Sequence, residues 1–262
     1  MKRVMVFGAG RNSKYMFLTH DSEYEWVAIA DNDVKKQGGF SDELNLCCYH
    51  IPIISPNDIL QYDWDFVMIT PNQSLYIVKE LLELGIKAED MVLYDPNDFS
   101  GFIKMVDKNG NIFVDTGKIK LLWKYEIEKT ITYEVFENHV YKYGGILGDQ
   151  IVIDVGMNVG IASLYFAQNE SVKEVYSFEP FHQTFIRAME NINLNCDEIR
   201  EKIHPFEFGL SNSDKMVPAI WDEDNLGGNR AMETEGKKGI PMDVHVKNAG
   251  VFLGGDISLN TK

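Results

Sequence analysis

Cysteine is scarce in this chain of 262 residues, in which Cys47, Cys48 and Cys196 are the three cysteines. An odd number without C-x-x-C spacing gives no disulfide framework and is typical of a protein from a reducing compartment. The six histidines are scattered without the short spacings of a metal site. We therefore expect a cytoplasmic protein that binds no metal ion.

Long hydrophobic runs and excess positive charge are absent as well. No stretch approaches the ~18 consecutive apolar residues of a membrane-spanning helix, and the opening MKRVMVFGAG has too short an apolar run for a signal peptide. Lys and Arg number 25 against 40 Asp and Glu, which gives a formal net charge of −15. This balance opposes contact with nucleic acid and with an anionic membrane surface, so we expect no nucleic-acid partner and no membrane insertion.

Residues 1–98 alternate strand and helix patterns. Apolar strands are predicted at RVMVFG, WVAIADND, IPII, DFVMIT and MVLYD, and helices at SKYMFLTH and SLYIVKELLELG. Strands that are apolar throughout and separated by helices are typical of a parallel sheet covered on both faces. We therefore predict a small α/β domain over this range, doubly wound and Rossmann-like.

Residues 99–148 break this alternation and are predicted to form a connector. FIKMVDKNGNIFVD predicts a β-hairpin that turns at Asn109-Gly110. YEVFENHVYKYG, which covers residues 133–144, predicts one amphipathic helix that ends at Gly144-Gly145.

The strand and helix alternation returns over residues 149–262, with strands at QIVIDVG, VKEVYSFEP and KIHPFEFGLS. Helices are predicted at GIASLYFAQN and FHQTFIRAMENINLN. This pattern predicts a second Rossmann-like domain with a doubly wound parallel sheet. After Ser211 the pattern weakens, and DNLGGNRAMETEGKKG predicts a loop or a weak hairpin. The last twenty residues predict neither a clear helix nor a long strand.

The stretch VIDVGMNVGIASLYF joins the first strand and helix of this second domain through a glycine turn. Gly156 and Gly160 leave room for a ligand to approach the backbone. The carboxylate of Asp154 would repel a pyrophosphate at this place, and it suits a positively charged ligand such as S-adenosylmethionine. Glu179 ends the next strand, where an acid can accept hydrogen bonds from both ribose hydroxyls. The spacing therefore indicates a nucleoside-bearing ligand.

The segments IDVGMNVGIASLYFA, VYSFEPFHQTFIRAMENINLN and FGLSNSD resemble the FkbM family of S-adenosylmethionine-dependent methyltransferases, over roughly residues 130–230. The resemblance implies methyl transfer, commonly to a hydroxyl of a sugar, polysaccharide or natural product. It implies that four residues shape the methionine end of the cofactor pocket, that Glu179 holds the ribose, and that Leu210 and Ser211 lie near the adenine. The four are Asp154, Gly156, Asn158 and Gly160.

The family pattern normally continues with a strand of the form K-x-D-v-E-G-x-E, which PMDVHVKNAGVFLGGDISLNTK does not resemble. We therefore expect the second sheet to be incomplete at its C-terminal end. An incomplete sheet leaves an open edge, and for this reason we expect a homo-oligomer. The sequence identifies no catalytic base.

The chain also begins with a different glycine turn, VFGAGRNS. Gly8, Gly10 and Ser13 follow the dinucleotide fingerprint with one substitution, and Asp31 stands at the end of the second strand. One hypothesis is a nucleotide or sugar nucleotide bound over these residues, and the other is an inherited fold whose glycines serve the turn alone. Small Rossmann-like modules of this general kind precede sugar acetyltransferases and some methyltransferases, and this resemblance implies a carbohydrate context.

Three functions therefore compete. The first is an S-adenosylmethionine-dependent methyltransferase that acts on a hydroxyl of a small-molecule or carbohydrate acceptor. The second is a nucleotide or sugar-nucleotide binding protein that carries a non-catalytic methyltransferase remnant. The third is an NAD(P)-dependent oxidoreductase, which Asp31 permits and no catalytic residue supports.

Overall fold

The computed structural model describes residues 1–20, 23–98, 100–142, 149–222 and 238–256. The chain forms two compact units. The N-terminal unit comprises Met1–Thr116 with Leu122–Glu126, and the C-terminal unit comprises Gly117–Leu121 with Ile127–Lys262. The predicted connector over residues 99–148 is therefore divided between the two units.

Five parallel strands form the sheet of the N-terminal unit, in the order β3-β2-β1-β4-β5. The central side chains of these strands are buried, and Val4, Ile29 and Val67 are fully inaccessible. The bounds are β1 Lys2–Phe7, β2 Tyr24–Ala30, β3 Ile53–Ile54, β4 Phe66–Ile69 and β5 Met91–Leu93, with helices α1 Arg11–His20 and α2 Ser74–Glu83 and 3-10 helices at Pro56–Gln61 and Ala88–Asp90. The predicted α/β fold with a parallel, Rossmann-like sheet is confirmed.

An antiparallel hairpin follows this sheet, formed by β6 (Ile103–Val106) and β7 (Ile112–Asp115). Gly110 takes a positive φ of 80° at its tip, as the Asn-Gly turn predicted. A third strand, β8 (Lys120–Trp123), completes the order β6-β7-β8.

The helix predicted from residue 133 onward is wrong in its position, because α3 spans Glu126–Phe136. Its predicted end at Gly144-Gly145 lies outside the described residues. His139, inside the predicted helix, has a left-handed φ of 51° that a continuous helix does not permit. The buried face of α3 includes Glu128, whose carboxylate forms an ion pair with Arg187 at 2.9 Å. A charged side chain on the buried face disguises the start of the helix in an apolar pattern.

The C-terminal unit has a parallel sheet in the order β11-β10-β9, made by β9 (Gln150–Val155), β10 (Val172–Phe178) and β11 (Ile203–Phe206). Helices α4 (Ile161–Ala167), α5 (His182–Asn193) and α6 (Asp197–Arg200) alternate with these strands. Both units therefore belong to the α/β class with parallel, Rossmann-like sheets.

A second sheet of the C-terminal unit has the order β12-β14-β13. Its strands are β12 Gly209–Ser211, β13 Lys215–Trp221 and β14 Ile240–Asn248, and helical turns follow at Ala249–Val251 and Phe252–Asp256. The prediction of no long strand in the last twenty residues is wrong, because Asp243–Asn248 belong to the nine-residue strand β14, which pairs with β13 over Ile240–Val246. The predicted loop at DNLGGNRAMETEGKKG lies mostly outside the described residues. Val244 and Val246 alternate with polar residues and pack on Phe181. Among the described helices, none is long and apolar enough to cross a membrane.

Candidate functional site

The turn after β9 is held against the end of β10 by backbone hydrogen bonds. The N–H groups of Gly156 and Met157 both donate to the carbonyl of Phe178, each at 2.9 Å. The turn then uses left-handed backbone at Gly156 (φ 84°), Asn158 (φ 51°) and Gly160 (φ 81°) before α4 begins. The carboxyl ends of two neighbouring parallel strands thus meet at one edge of the sheet.

Glu179, the first residue after β10, also holds this turn in place, through its side-chain carboxylate. Its Oε2 accepts a hydrogen bond from the Asn158 N–H at 2.9 Å, and its Oε1 accepts one from the Phe181 N–H at 3.0 Å. The side chain is buried, and burial raises the pKa of Glu179 to about 7, although the two N–H donors act in the opposite direction. Each carboxylate oxygen keeps a second lone pair for a ligand hydroxyl.

Asp154 lies on β9 beside Glu179 and has a different set of partners. The Ser163 hydroxyl donates to its Oδ2 at 2.6 Å, and the Ser177 hydroxyl lies 2.9 Å from the Ser163 oxygen. Because Ser163 donates its only hydroxyl proton to the Asp154 carboxylate, the Ser177 hydroxyl must donate to the Ser163 oxygen. Burial raises the pKa of the Asp154 carboxyl, and the Ser163 hydrogen bond offsets part of that effect. Its Oδ1 accepts no hydrogen bond within the part of the chain that the structure describes.

The two glycines of this turn both take a positive φ and differ in what lies over them. A Cβ on Gly160 would lie 3.4 Å from both the Cβ and the carbonyl oxygen of Ala188, which is an ordinary contact distance, so its positive φ is the reason for glycine there. A Cβ on Gly156 would meet no described atom within 4 Å. Gly156 therefore meets the expectation of open space over the backbone, whereas Gly160 lies against Ala188 of α5.

The Oδ1 atom of Asn158 is buried and has no hydrogen-bond partner among the described residues. An unpaired buried carbonyl costs free energy that a hydrogen-bond donor on a ligand would recover. A ligand with an ammonium group and ribose hydroxyls offers such donors, and the carboxylates of Asp154 and Glu179 accept them. The residues present therefore fit S-adenosylmethionine.

Leu210 and Ser211 lie on β12, in the second sheet of this unit. Leu210 packs against the aromatic cluster of Phe178, Phe208 and Phe252, and Phe178 directly precedes Glu179. Ser211 is paired with Asn248 in the ladder between β12 and β14. Leu210 thus lies near the end of β10, and the adenine contact of both residues stays a prediction.

The residues of the first glycine turn, in the N-terminal unit, are also brought together, but their polar groups serve one another. The N–H of Gly8 donates to the Ala30 carbonyl at 2.7 Å, and that of Gly10 donates to the Ser13 hydroxyl at 3.0 Å. The Ala9 N–H donates to Oδ2 of the buried Asp31 at 2.6 Å.

Asp31 also accepts from the Asp33 N–H at 2.8 Å and from the Lys36 ammonium at 3.1 Å. Gly8 has its own steric reason, because a Cβ there would lie 2.8 Å from Pro71 Cγ. In a dinucleotide-binding turn the N–H groups face pyrophosphate and the acid faces ribose. Here those groups are engaged within the chain, which favours the hypothesis that the glycines serve the turn.

Sequence reasoning missed Ser163 and Ser177, which position the Asp154 carboxylate. Ser177 interrupts the apolar strand VKEVYSF, and both serines are fully buried. A small polar residue in a buried strand must find a partner, so this interruption was the feature that could have revealed the network.

Known proteins match this chain over parts of its length. A family model described as C2185-like, N-terminal, matches residues 1–92, which contain β1 to β4 and the start of β5. Methyltransferase sdnD of Sordaria araneosa is 27% identical over 113 residues, which are 43% of this chain and 42% of that protein. AMB antimetabolite synthetase AmbE of Pseudomonas aeruginosa is 32% identical over 84 residues, 31% of this chain and 4% of that protein.

The chain thus has a relative named as a methyltransferase, and it spans less than half the length of the curated relatives it matches. Among solved structures, Methyltransferase FkbM from Methylobacillus flagellatus KT matches with 13% identity and a TM-score of 0.30, over 94% of this chain and 68% of that chain. UDP-D-quinovosamine 4-dehydrogenase from Vibrio fischeri matches with 20% identity and a TM-score of 0.27, over 36% of this chain and 78% of that chain. These TM-scores are too low to carry a functional comparison.

Proposed function

We propose that the protein is an S-adenosylmethionine-dependent methyltransferase whose cofactor site is the turn after β9. The observation that carries the proposal is the junction of Asp154, Asn158 and Glu179. The Asn158 N–H fastens the turn to the Glu179 carboxylate at 2.9 Å, while the Asn158 Oδ1 stays buried and unpaired among the described residues. Similarity to Methyltransferase sdnD over part of the chain supports the same proposal.

Each residue of the turn then has a separate task. Oδ1 of Asp154 accepts from the ammonium of the methionine moiety, and Glu179 accepts from the ribose hydroxyls, as acids at the ends of such strands do. Gly156 leaves the backbone open to the ligand. Leu210 and Ser211 stay assigned to the adenine side. When bound, the cofactor supplies an electrophilic methyl group on a sulfonium.

We further propose that the acceptor is a hydroxyl of a sugar, polysaccharide or natural product, and that methylation occurs in the cytoplasm. The support is the family resemblance of the motifs and, for the compartment, the three cysteines without a disulfide pattern. Methyl transfer needs chiefly the alignment of acceptor and methyl group, so positioning supplies most of the rate. No residue is assigned as the general base.

Calorimetric titration of S-adenosylhomocysteine into the full chain tests the cofactor site. We expect saturable binding that Glu179→Gln weakens about 100-fold, because the amide replaces an acceptor of two hydroxyls with a mixed donor and acceptor. Glu170→Gln, which removes the same charge from an exposed residue of the same unit, is the matched control and should bind as the wild type does. Absence of binding by a chain that is folded by circular dichroism would refute the proposal.

A further inference from the structure

The order in which strands are added to the sheet of the N-terminal unit reverses at β1. Strands β2 and β3 lie on one side of β1, and strands β4 and β5 lie on the other side. Ligands of open α/β sheets bind outside the carboxyl ends of the strands at such a point. A cleft of about 480 Å³ opens there, and we call it the switch-point cleft. Its walls include Arg11, Asn12 and Tyr15 of α1, Asn72 after β4, and Tyr94 and Asn97 after β5.

The electrostatic character of this cleft differs from that of the whole chain. Acidic residues outnumber basic ones by 40 to 25 in the sequence, yet none lines the cleft. Arg11 is its cation, and the guanidinium has no carboxylate partner among the described residues. It donates instead to the Tyr15 hydroxyl at 3.1 Å. An arginine without a carboxylate partner, on a wall free of carboxylates, favours a phosphate as ligand.

The cleft also carries neutral side-chain amides, and hydrogen bonds hold those of Asn12 and Asn72 in place. Nδ2 of Asn12 donates to the Thr70 carbonyl and to Oδ1 of Asn72, each at 2.8 Å, and so joins α1 to the loop after β4. The Asn12 Oδ1 then faces no donor within the described residues. Amide acceptors beside the Tyr15 and Tyr94 rings suit a hydroxylated ring, since hydroxyls need acceptors and the ring needs an apolar face.

We infer that the switch-point cleft binds a phosphorylated sugar ring, with the phosphate on Arg11 and ring hydroxyls on the asparagine amides. The chemistry is shared by a free sugar phosphate and by the ribose phosphate of a nucleotide. The cleft takes Arg11 and Asn12 from the end of the first glycine turn, but Gly8, Gly10 and Asp31 do not line it. Asp31 is engaged by Ala9 and Lys36. The inference goes beyond methyl transfer and does not depend on it.

Titration of the isotope-labelled full chain, followed by two-dimensional NMR, tests the inference. The probes are glucose 1-phosphate and uridine monophosphate, with glucose and inorganic phosphate as controls. We expect one of the two probes to saturate the protein and to shift the amide resonances of Arg11, Asn12 and Asn72. The tighter probe identifies the source of the ring. Arg11→Gln should weaken its binding about tenfold, whereas Lys14→Gln, on the same helix and outside the cleft, should not.

Several outcomes would overturn the inference. These are no saturation by either probe up to about 10 mM, equal binding by inorganic phosphate, equal binding by unphosphorylated glucose, or equal weakening in the two variants. Shifts confined to Ala9 and Asp31 would return the ligand to the glycine turn. Because S-adenosylhomocysteine binding is measured separately, failure here leaves the proposed methyltransferase site untouched.

Discussion

The two glycine turns of this chain share a backbone design and differ in what they leave for a ligand. In each, the acid after the second strand accepts a hydrogen bond from the turn itself. Asp31 accepts from the Ala9 N–H at 2.6 Å, and Glu179 accepts from the Asn158 N–H at 2.9 Å. Their exposures are alike, 8% and 5%. The acid after the second strand therefore has a structural role in both units, because it holds the turn in place through a hydrogen bond.

The two turns differ in the further contacts of the acid and of the first glycine. Asp31 has the Lys36 ammonium at 3.1 Å, and Gly8 lies against Thr70 and Pro71. Glu179 has no ion pair among the described residues, and Gly156 has open space before it. A glycine turn followed by an acid after the second strand can thus be closed by its own chain in one unit and remain available in the other. The position of the acid does not distinguish the two.

The largest effect on stability should come from Gly8→Ala. A Cβ there would lie 2.8 Å from Pro71 Cγ at a φ of 101°, so we expect a loss of about 4 kcal/mol in the free energy of unfolding of the N-terminal unit. Gly156→Ala should cost the C-terminal unit only about 1 kcal/mol, since its φ of 84° is the sole penalty. Urea unfolding followed by hydrogen exchange in β1 and β9 separates the units.

The same pair of variants separates stability from binding. Gly156→Ala should weaken S-adenosylhomocysteine binding, because the new methyl group occupies the open space over the turn. Gly8→Ala should leave the affinity of the folded fraction unchanged. Equal destabilisation by the two substitutions would show that the turns are closed to the same degree.

A second effect is the pH dependence that Glu179 introduces. Its folded pKa of about 7 lies above the ordinary value of 4.5, so the native state binds the proton more tightly between these values. The contribution to stability is fully present below about pH 4.5 and is lost as the pH rises through 7, a total of about 3 kcal/mol. Asp154 acts in the same direction.

The difference between wild type and Glu179→Gln isolates this contribution. The variant should lose the part of the pH dependence between pH 4.5 and 7 that belongs to Glu179, as measured by urea unfolding at a series of pH values. Parallel pH profiles for the two proteins would mean that the two N–H donors hold the Glu179 pKa near its ordinary value.

The third effect is that of Asn158→Gly, which should raise stability and weaken cofactor binding. Asn158→Gly removes a side chain from a left-handed backbone (φ 51°) and removes its unpaired buried Oδ1, so we expect a gain of about 1 kcal/mol in stability. The same change should weaken S-adenosylhomocysteine binding about tenfold, because the donor on the ligand loses its acceptor. Thermal unfolding and calorimetry on one preparation test both. An unchanged affinity would show that the buried carbonyl faces no ligand.

Local patterns allowed the five strands of the first sheet and the glycine turns to be predicted from the sequence, because apolar strands and turn residues act over short ranges. The start of α3 could not be predicted in that way, since Glu128 is buried in an ion pair with Arg187, 59 residues away. The strand β14 could have been predicted. Its alternation at Val244 and Val246 is a period of two, which the comparison with a family strand concealed.

The positions of the site residues could be predicted from the sequence, but the hydrogen-bond partners of their side chains could not. Spacing brought Asp154 and Glu179 to one edge of the sheet, and it gave Asp31 the same position in the other unit. Whether an acid keeps free lone pairs depends on partners that the acid–glycine spacing does not specify, such as Ser163 for Asp154 and Lys36 for Asp31. Those partners lie on neighbouring elements and are fixed by packing.

The smallest effect should come from the cation that closes the first turn. Lys36→Met removes the ammonium from Asp31 while its side chain is 30% exposed, so screening by solvent limits the loss to about 0.5 kcal/mol in the N-terminal unit. Lys35→Met, at the neighbouring exposed lysine, should change stability less, and neither variant should affect S-adenosylhomocysteine binding. If Lys36→Met instead cost several kcal/mol, the ion pair rather than the Ala9 N–H would be what holds Asp31, and the two acids would not be comparable fastenings.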